Sequence, residues 1–326
     1  MRRISINIGA VVVLLMGGWF LLNQRQISSV DDVFRLASAQ LKALNFKPAS
    51  QSQSQRDSLR IAAFNIQAFG PEKANDANVM GYLARIVREF DVVAIQEIRG
   101  QDQSVLRAFV DLVNAEGRKY AIVASEPIGR NRYFERYAFL FDSETLALDG
   151  SHTYTVHDPD DVLHREPFVG WFRAAAVDSD QAFTFSLVNV HLDSRKPQAE
   201  VAYLAQLFRA VRSDGRGEDD VIIAGDFNAG PDQMQQLRNQ AGLTCLITNS
   251  PTNVRFTQQY DNLLVDPLAS MEFTGRSGVH DFLKIFNLTI DQATAISDHL
   301  PVWADFSPLE GFNGNLTASR DAPNVK

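Results

Sequence analysis

Apolar runs that finish on polar residues set the rhythm of this chain. Residues 61–66 carry Asn65, 92–97 end in Gln96-Glu97, 183–191 in Asn189-Val190-His191, 221–228 in Asp226-Phe227-Asn228, and 295–299 in Ser297-Asp298-His299. Short apolar runs bounded by turn residues read as buried strands, so these polar side chains are expected to rim one cleft at the strand ends. Helical spacing separates them: 77–90 (Val79, Tyr82, Leu83, Ile86, Val87), 103–117 and 198–212. Between Tyr137 and Phe185 strand candidates follow one another through turns, and Asp261 opens a further strand towards Val265. The mixture predicts α/β layers with some antiparallel sheet rather than a purely parallel doubly wound fold.

The ends of the chain follow other patterns. Arg2-Arg3 precedes a mostly apolar stretch, residues 4–22. As a helix it would span roughly 28 Å, about the hydrocarbon thickness of a bilayer. Residues 1–25 are therefore expected to be a membrane anchor with the remainder on the extracytoplasmic side, or a signal segment whose cleavage would leave a secreted protein. Within 26–58, Ser29 caps a short helix carrying Val30, Phe34, Ala37, Leu41 and Leu44 on one face, and a Ser/Gln-rich linker follows. The expected catalytic domain is 59–306, and 307–326 is a polar, Gly/Asn-rich tail.

A formal net charge of -8 argues against a protein that holds nucleic acid by bulk attraction, but leaves room for an enzyme that must release a polyanionic product. Cys245 is the single cysteine, which excludes intrachain disulfides and cysteine-based metal sites.

The polar endings suit metal-dependent phosphodiester cleavage, which needs a cation on a non-bridging oxygen, an activated water and a proton for the leaving oxygen. Glu97 offers a hard oxygen ligand for Mg²⁺. Asn65 and Asn228 offer amides to hold a phosphate oxygen or orient a ligand, and Asp226 is placed to polarise water or help hold metal. His191 and His299 can pass protons near neutral pH, with Glu135 and Asp261 as candidate orienting carboxylates. Asp298 beside His299 can serve metal and proton transfer together. The other histidines, at 152, 157, 164 and 280, read as ordinary core or surface residues.

Phe64-Asn65-Ile66, Ile95-Gln96-Glu97, Val190-His191, Gly225-Asp226-Phe227-Asn228 and Ser297-Asp298-His299, in this order, resemble the endonuclease/exonuclease/phosphatase superfamily. Ser125–Asn131, Glu135-Arg136-Tyr137, Arg165-Glu166-Pro167 and Gln96–Arg99 are similar to its deoxyribonuclease I branch. The resemblance implies a four-layered α/β sandwich, two mixed β-sheets face to face with helices outside. It implies an Mg²⁺-dependent (alternatively Mn²⁺-dependent) endonuclease of low sequence specificity acting as a monomer on double-stranded DNA. Glu97 would bind the ion; His191 with Glu135 and His299 with Asp261 would form two acid/base pairs. Asn65, Asp226, Asn228 and Asp298 would bind metal or phosphate, and Arg99, Tyr133 and Arg165 would contact the duplex backbone and minor groove. Without the disulfides of the secreted animal enzymes, residues 229–259 are expected to be mobile or differently packed. Asp158, Asp160 and Asp161 form either a calcium-binding loop or a solvated turn. The rival readings are a lipid head-group phosphodiesterase or phosphatase and a catalytically silent binding protein on the same fold.

Overall fold

The computed structural model describes residues 57–100, 103–130 and 133–311. The apolar segment 4–22, the helix expected near residue 30 and the linker up to residue 56 lie outside them. Among the described residues no helix is long and apolar enough to cross a membrane.

In chain order the strands are β1 (Leu59–Phe69), β2 (Val92–Ile98), β3 (Tyr120–Ala124), β4 (Ile128–Arg130), β5 (Tyr133–Asp142), β6 (Leu146–Thr155), β7 (Phe168–Ala174), β8 (Thr184–His191), β9 (Val221–Asp226), β10 (Thr244–Cys245), β11 (Asp261–Val265), β12 (Phe273–Val279) and β13 (Val302–Phe306). The helices are α1 (Pro71–Ala74), α2 (Ala77–Val87), α3 (Ser104–Asn114), α4 (Pro197–Arg212), α5 (Pro231–Ala241), α6 (Phe282–Phe286) and α7 (Ile290–Ile296). One sheet runs β12-β13-β1-β2-β5-β3 with β4 on β5, the other β10-β11-β9-β8-β7-β6. Each is mixed, β1 with β2 and β8 with β9 being parallel amid antiparallel pairs.

Side-chain alternation divides the core into three layers. Ile61, Ala63, Val92, Ala94, Phe139, Leu187, Ile222, Ala224 and Leu263 fill the space between the sheets. The alternate residues Ala62, Phe64, Val93 and Ile95 pack outward under α2, α3, α6 and α7. Val188, Val190, Val221 and Ile223 face α4 and α5. Burial on both faces explains why the strands read as unbroken apolar runs.

One expectation changes. Residues 295–299 are not a strand: Ala295 and Ile296 end α7, and His299 enters only an isolated bridge to Asn253. A short apolar run carries no periodicity to separate the two, and the capping box of Thr289 and Gln292 decides for helix. Residues 229–259, where a bridge is missing, hold α5, β10 and the buried Ile247, whose N–H and C=O both bond the Asn262 side chain. Directly after β13, Pro308 O accepts from Phe183 N and Gly311 N donates to Glu272, so residues 307–311 pack against the sheets.

The register of β8 on β9 tolerates only glycine at 225. Its φ is +149°, and an added Cβ would lie 1.9 Å from Val190 O. Gly225→Ala should cost about 4 kcal/mol or more, lowering Tm by ~10 °C. Gly117→Ala, also at positive φ but with nothing within 4 Å, is the control expected to cost under about 2 kcal/mol. Equal urea midpoints for the two variants would refute this reading.

At the opposite end of β9, Asp220 is 1% exposed, and burial pushes its carboxyl up to about 8, with Glu272 and Glu218 nearby adding to the rise. A carboxyl whose folded value is raised contributes stability that is present below the unfolded value and lost as pH rises towards 8. Asp220→Asn removes that loss, so the variant's advantage in unfolding free energy, read from urea melts, should grow from pH 5 to pH 9, reaching a few kcal/mol. A wild-type midpoint that falls no faster than the variant's over that range would refute it.

Candidate active site

The parity that fills the space between the sheets continues to one edge of the sandwich and there turns polar. Asn65 follows Ile61 and Ala63; Gln96 follows Val92 and Ala94; His191 follows Leu187; Asp226 follows Ile222 and Ala224. Glu135 and Asp261 occupy the same face at the starts of the antiparallel strands β5 and β11, which run the other way. Six side chains on separate strands are thus delivered to one place.

Glu97 is the exception. Alternation would aim it away from Gln96, but its backbone is left-handed (φ +60°), and the β2–β5 register slips between Ile95 and Ile98. The turn brings the carboxylate back: Oε2 accepts from Ala68 N at 3.0 Å and from Arg99 at 2.9 Å, while Oε1 lies 3.4 Å from Asn65 Nδ2. A non-glycine residue at positive φ costs of order 1 kcal/mol, retained here by the geometry it creates. Burial raises the Glu97 carboxyl, but the Ala68 N–H, His191 and Arg99 outweigh it and hold it below the usual carboxylate range.

Two imidazole–carboxylate pairs stand on either side of Asp226. His191 Nδ1 is 2.9 Å from Glu135 Oε1, and His299 Nδ1 is 2.8 Å from Asp261 Oδ2. A carboxylate can only accept, so each imidazole donates through Nδ1 and turns Nε2 into the cleft. The Nε2 atoms lie 3.6 and 3.7 Å from the same oxygen, Asp226 Oδ2. That oxygen also accepts from Asn65 Nδ2 at 3.0 Å, and Asp226 Oδ1 from Asn228 N at 2.9 Å. Burial opposes charge on His299, yet Asp261 and Asp226 raise it well above an ordinary histidine. Glu135 and Asp226 do the same for His191. Burial raises Asp261.

Arg165 is tied into the first pair: its Nε lies 3.0 Å from Glu135 Oε2, and its Nη1 donates to His191 O at 3.0 Å. Arg99 is a half-exposed guanidinium on Glu97, Asn228 donates its amide to Leu192 O, and Tyr133 opens β5 opposite Arg130. Asp298 lies next to His299 and accepts from Gln67 Nε2 at 3.0 Å. Asp158 accepts from Leu163 N and Asp161 pairs with Arg130, so the acidic loop has partners within the protein.

Several contributors have no role assigned from the sequence. Gln96 donates to Asn189 at 2.6 Å, and Asn189 donates to Ile95 O and Ala138 O, a buried amide bridge between the sheets beneath the site. Thr252 donates to Asp261, and Ser297 donates to Asn65 O. Tyr260 lies with its ring 6.4 Å from that of His299. The signal for the amide bridge was present: Gln96 and Asn189 are polar residues inside apolar runs.

The donor set fits a hard divalent cation. Glu97 offers a carboxylate, while Asn65 Oδ1 and Asp298 Oδ1 are buried oxygens without a hydrogen-bond donor among the described residues, Asp298 Oδ1 lying 3.9 Å from His299 Nε2. Residues 67 and 68 hold Asp298 and Glu97 respectively from consecutive positions of β1. Asp226, Asp261 and His299 also bring ligand atoms within 4.8 Å of one another, but Asp261 and His299 are already engaged with each other.

Two mixed sheets with helices outside and a cleft of paired histidines and carboxylates define a phosphoester-hydrolase architecture, and residues 62–299 match the endonuclease/exonuclease/phosphatase family. The chain belongs to that family. It is 34% identical to deoxyribonuclease-1 of Bos taurus over 263 residues, covering 75% of this chain and 91% of that one. Identity to deoxyribonuclease-1-like 2 of Homo sapiens is 32% over 273 residues, covering 75% and 90%. Among solved structures, an endonuclease/exonuclease/phosphatase family protein from Bacteroides thetaiotaomicron superposes with a TM-score of 0.54 at 15% identity, covering 78% of this chain and 98% of that one. The fold expected from the sequence is the fold observed, and the relatives place the chain among nucleases and related phosphodiester hydrolases.

Proposed function

We propose that this protein is an Mg²⁺-dependent endonuclease that cuts double-stranded DNA with little sequence preference. The observation that carries the reading is the convergence of two histidine–carboxylate pairs on Asp226, at 3.6 and 3.7 Å. A binding protein has no use for two opposed proton-transfer groups. In the proposed reaction His299, oriented by Asp261, takes a proton from the attacking water in the fraction of the enzyme whose imidazole there is neutral, and His191, held as the imidazolium by Glu135 and Asp226, gives one to the leaving 3′ oxygen. Asp226 holds both imidazoles towards the substrate, and Asn65 and Asn228 fix the phosphate. Glu97, with Asn65 and Asp298, would hold the cation, which when bound neutralises charge on a non-bridging phosphate oxygen. Arg99, Tyr133 and Arg165 are proposed to meet the duplex backbone and minor groove, in keeping with the deoxyribonuclease relatives. The apolar segment 4–22 supports placement of a monomeric enzyme at a membrane, catalytic domain outside, or its secretion after cleavage.

The test is plasmid nicking by the full-length protein with and without Mg²⁺, beside His299→Ala and a lipid phosphodiester substrate. Mg²⁺-dependent nicking lost in the variant is expected. Turnover of the lipid without nicking would replace this reading by a lipid phosphodiesterase anchored beside its substrate.

A further inference from the structure

Lys73 lies outside every proposed catalytic role, yet its ammonium reaches the end of the helix that leads into Asp298 and His299. Its helix α1 follows β1 directly, and Nζ donates to Ile296 O at 2.7 Å. Ile296 is the last residue of α7, so its carbonyl has no partner within the helix. The next three residues are Ser297-Asp298-His299. Gln67 N donates to Ser297 Oγ, and Gln67 Nε2 to Asp298, which fixes the rest of that loop from the same stretch of chain. The carboxylates of Asp298 and Glu97 both act on Lys73 through their fields, and burial lowers its ammonium to about 8.

We propose that Lys73 is a positioning residue with a second, electrostatic effect: it pins the start of the loop bearing Asp298 and His299 through Ile296 O, and its charge, within the fields of Asp298 and Glu97, weakens their hold on a divalent cation. The proposal rests on the cation and proton roles given above. It makes two demands of opposite sign. Removing the ammonium releases the Ile296 end of the loop, which shifts His299 and lowers kcat, and leaves a more negative site, which tightens metal binding. Damage to folding alone would weaken both.

The experiment compares full-length wild type, Lys73→Met and Lys73→Arg. Mn²⁺ binding is measured by titration calorimetry in the absence of DNA, the His299 imidazole resonance is recorded by NMR on the metal-free proteins, and nicking kinetics are followed in Mg²⁺. For Lys73→Met we expect kcat to fall ~10- to 100-fold with KM for DNA little changed, Mn²⁺ to bind several-fold more tightly, and the His299 resonance to move. Arginine keeps both the donor and the charge, so Lys73→Arg should return all three towards wild type. Weaker Mn²⁺ binding in Lys73→Met, an unmoved His299 resonance, or failure of arginine to restore them would overturn the proposal. If wild type binds Mn²⁺ but cuts no DNA, the nuclease reading fails, while the calorimetric and NMR measurements still decide the role of Lys73.

Discussion

His299→Ala should lower kcat for duplex nicking by about 10³-fold while leaving the protein folded. The ring reaches the cleft from a loop whose backbone is held independently, by Ser297 Oγ on Asn65 O and by Asp298 O accepting from Val254 N, so truncation removes chemistry rather than architecture. Its partner is worth less alone. Asp261→Asn keeps an acceptor oxygen towards His299 and Thr252 but removes the charge that favours the imidazolium, and should cost on the order of 10²-fold. The double variant should be no worse than about His299→Ala, because the two act as a unit. The near-equal distances from Asp226 to both imidazoles make the proton roles testable by leaving group. An aryl phosphodiester, whose leaving oxygen needs no proton, should restore His191→Ala relative to DNA and leave His299→Ala impaired. The opposite pattern would exchange the roles; restoration of neither would remove the acid from the mechanism.

Glu97→Gln should lower activity by about 10²- to 10³-fold and raise the half-saturating Mg²⁺ concentration at least tenfold. Glutamine is isosteric and leaves one oxygen for the Ala68 N–H, so the left-handed turn at residue 97 should persist and thermal stability should change by no more than ~1 kcal/mol. Only the ionic donor is removed. Arg99→Ala removes a guanidinium with 56% side-chain exposure whose pair with Glu97 is solvent-screened, and its effect on Mg²⁺ dependence should be small beside that of Glu97→Gln. Since the Glu97 carboxyl lies below the usual range, it stays ionised through neutral pH, and proton competition for the cation should appear only in acid. An unchanged Mg²⁺ midpoint in Glu97→Gln would remove this residue from the cation site.

Much of this was legible in the chain because burial on both faces of a strand leaves a simple trace. Asn65, Glu97, His191 and Asp226 stood out as polar endings of apolar runs, and Asp261 as the polar start of one. Resemblance to a family then supplied the pairings of His191 with Glu135 and His299 with Asp261, which the geometry shows at hydrogen-bond distance. Residues 295–299 misled, because two helical residues before a polar triplet look the same as a strand end. Lys73 and Thr252 left no trace at all; each acts through a partner far away in sequence, Ile296 in one case and Asp261 in the other.

By itself the sequence determined which side chains share a face. Alternation is local, and it placed Asn65, Gln96, His191 and Asp226 in phase with the core residues that precede them on their strands. What tertiary structure alone decided is which strand ends meet and where the phase is broken. The left-handed backbone at Glu97 turns that carboxylate into the cleft against the alternation, and the packing of one sheet on the other brings Asp226 between two imidazoles from different segments. Both depend on contacts between residues remote along the chain, whose energies exceed any local preference and therefore cannot be read from it.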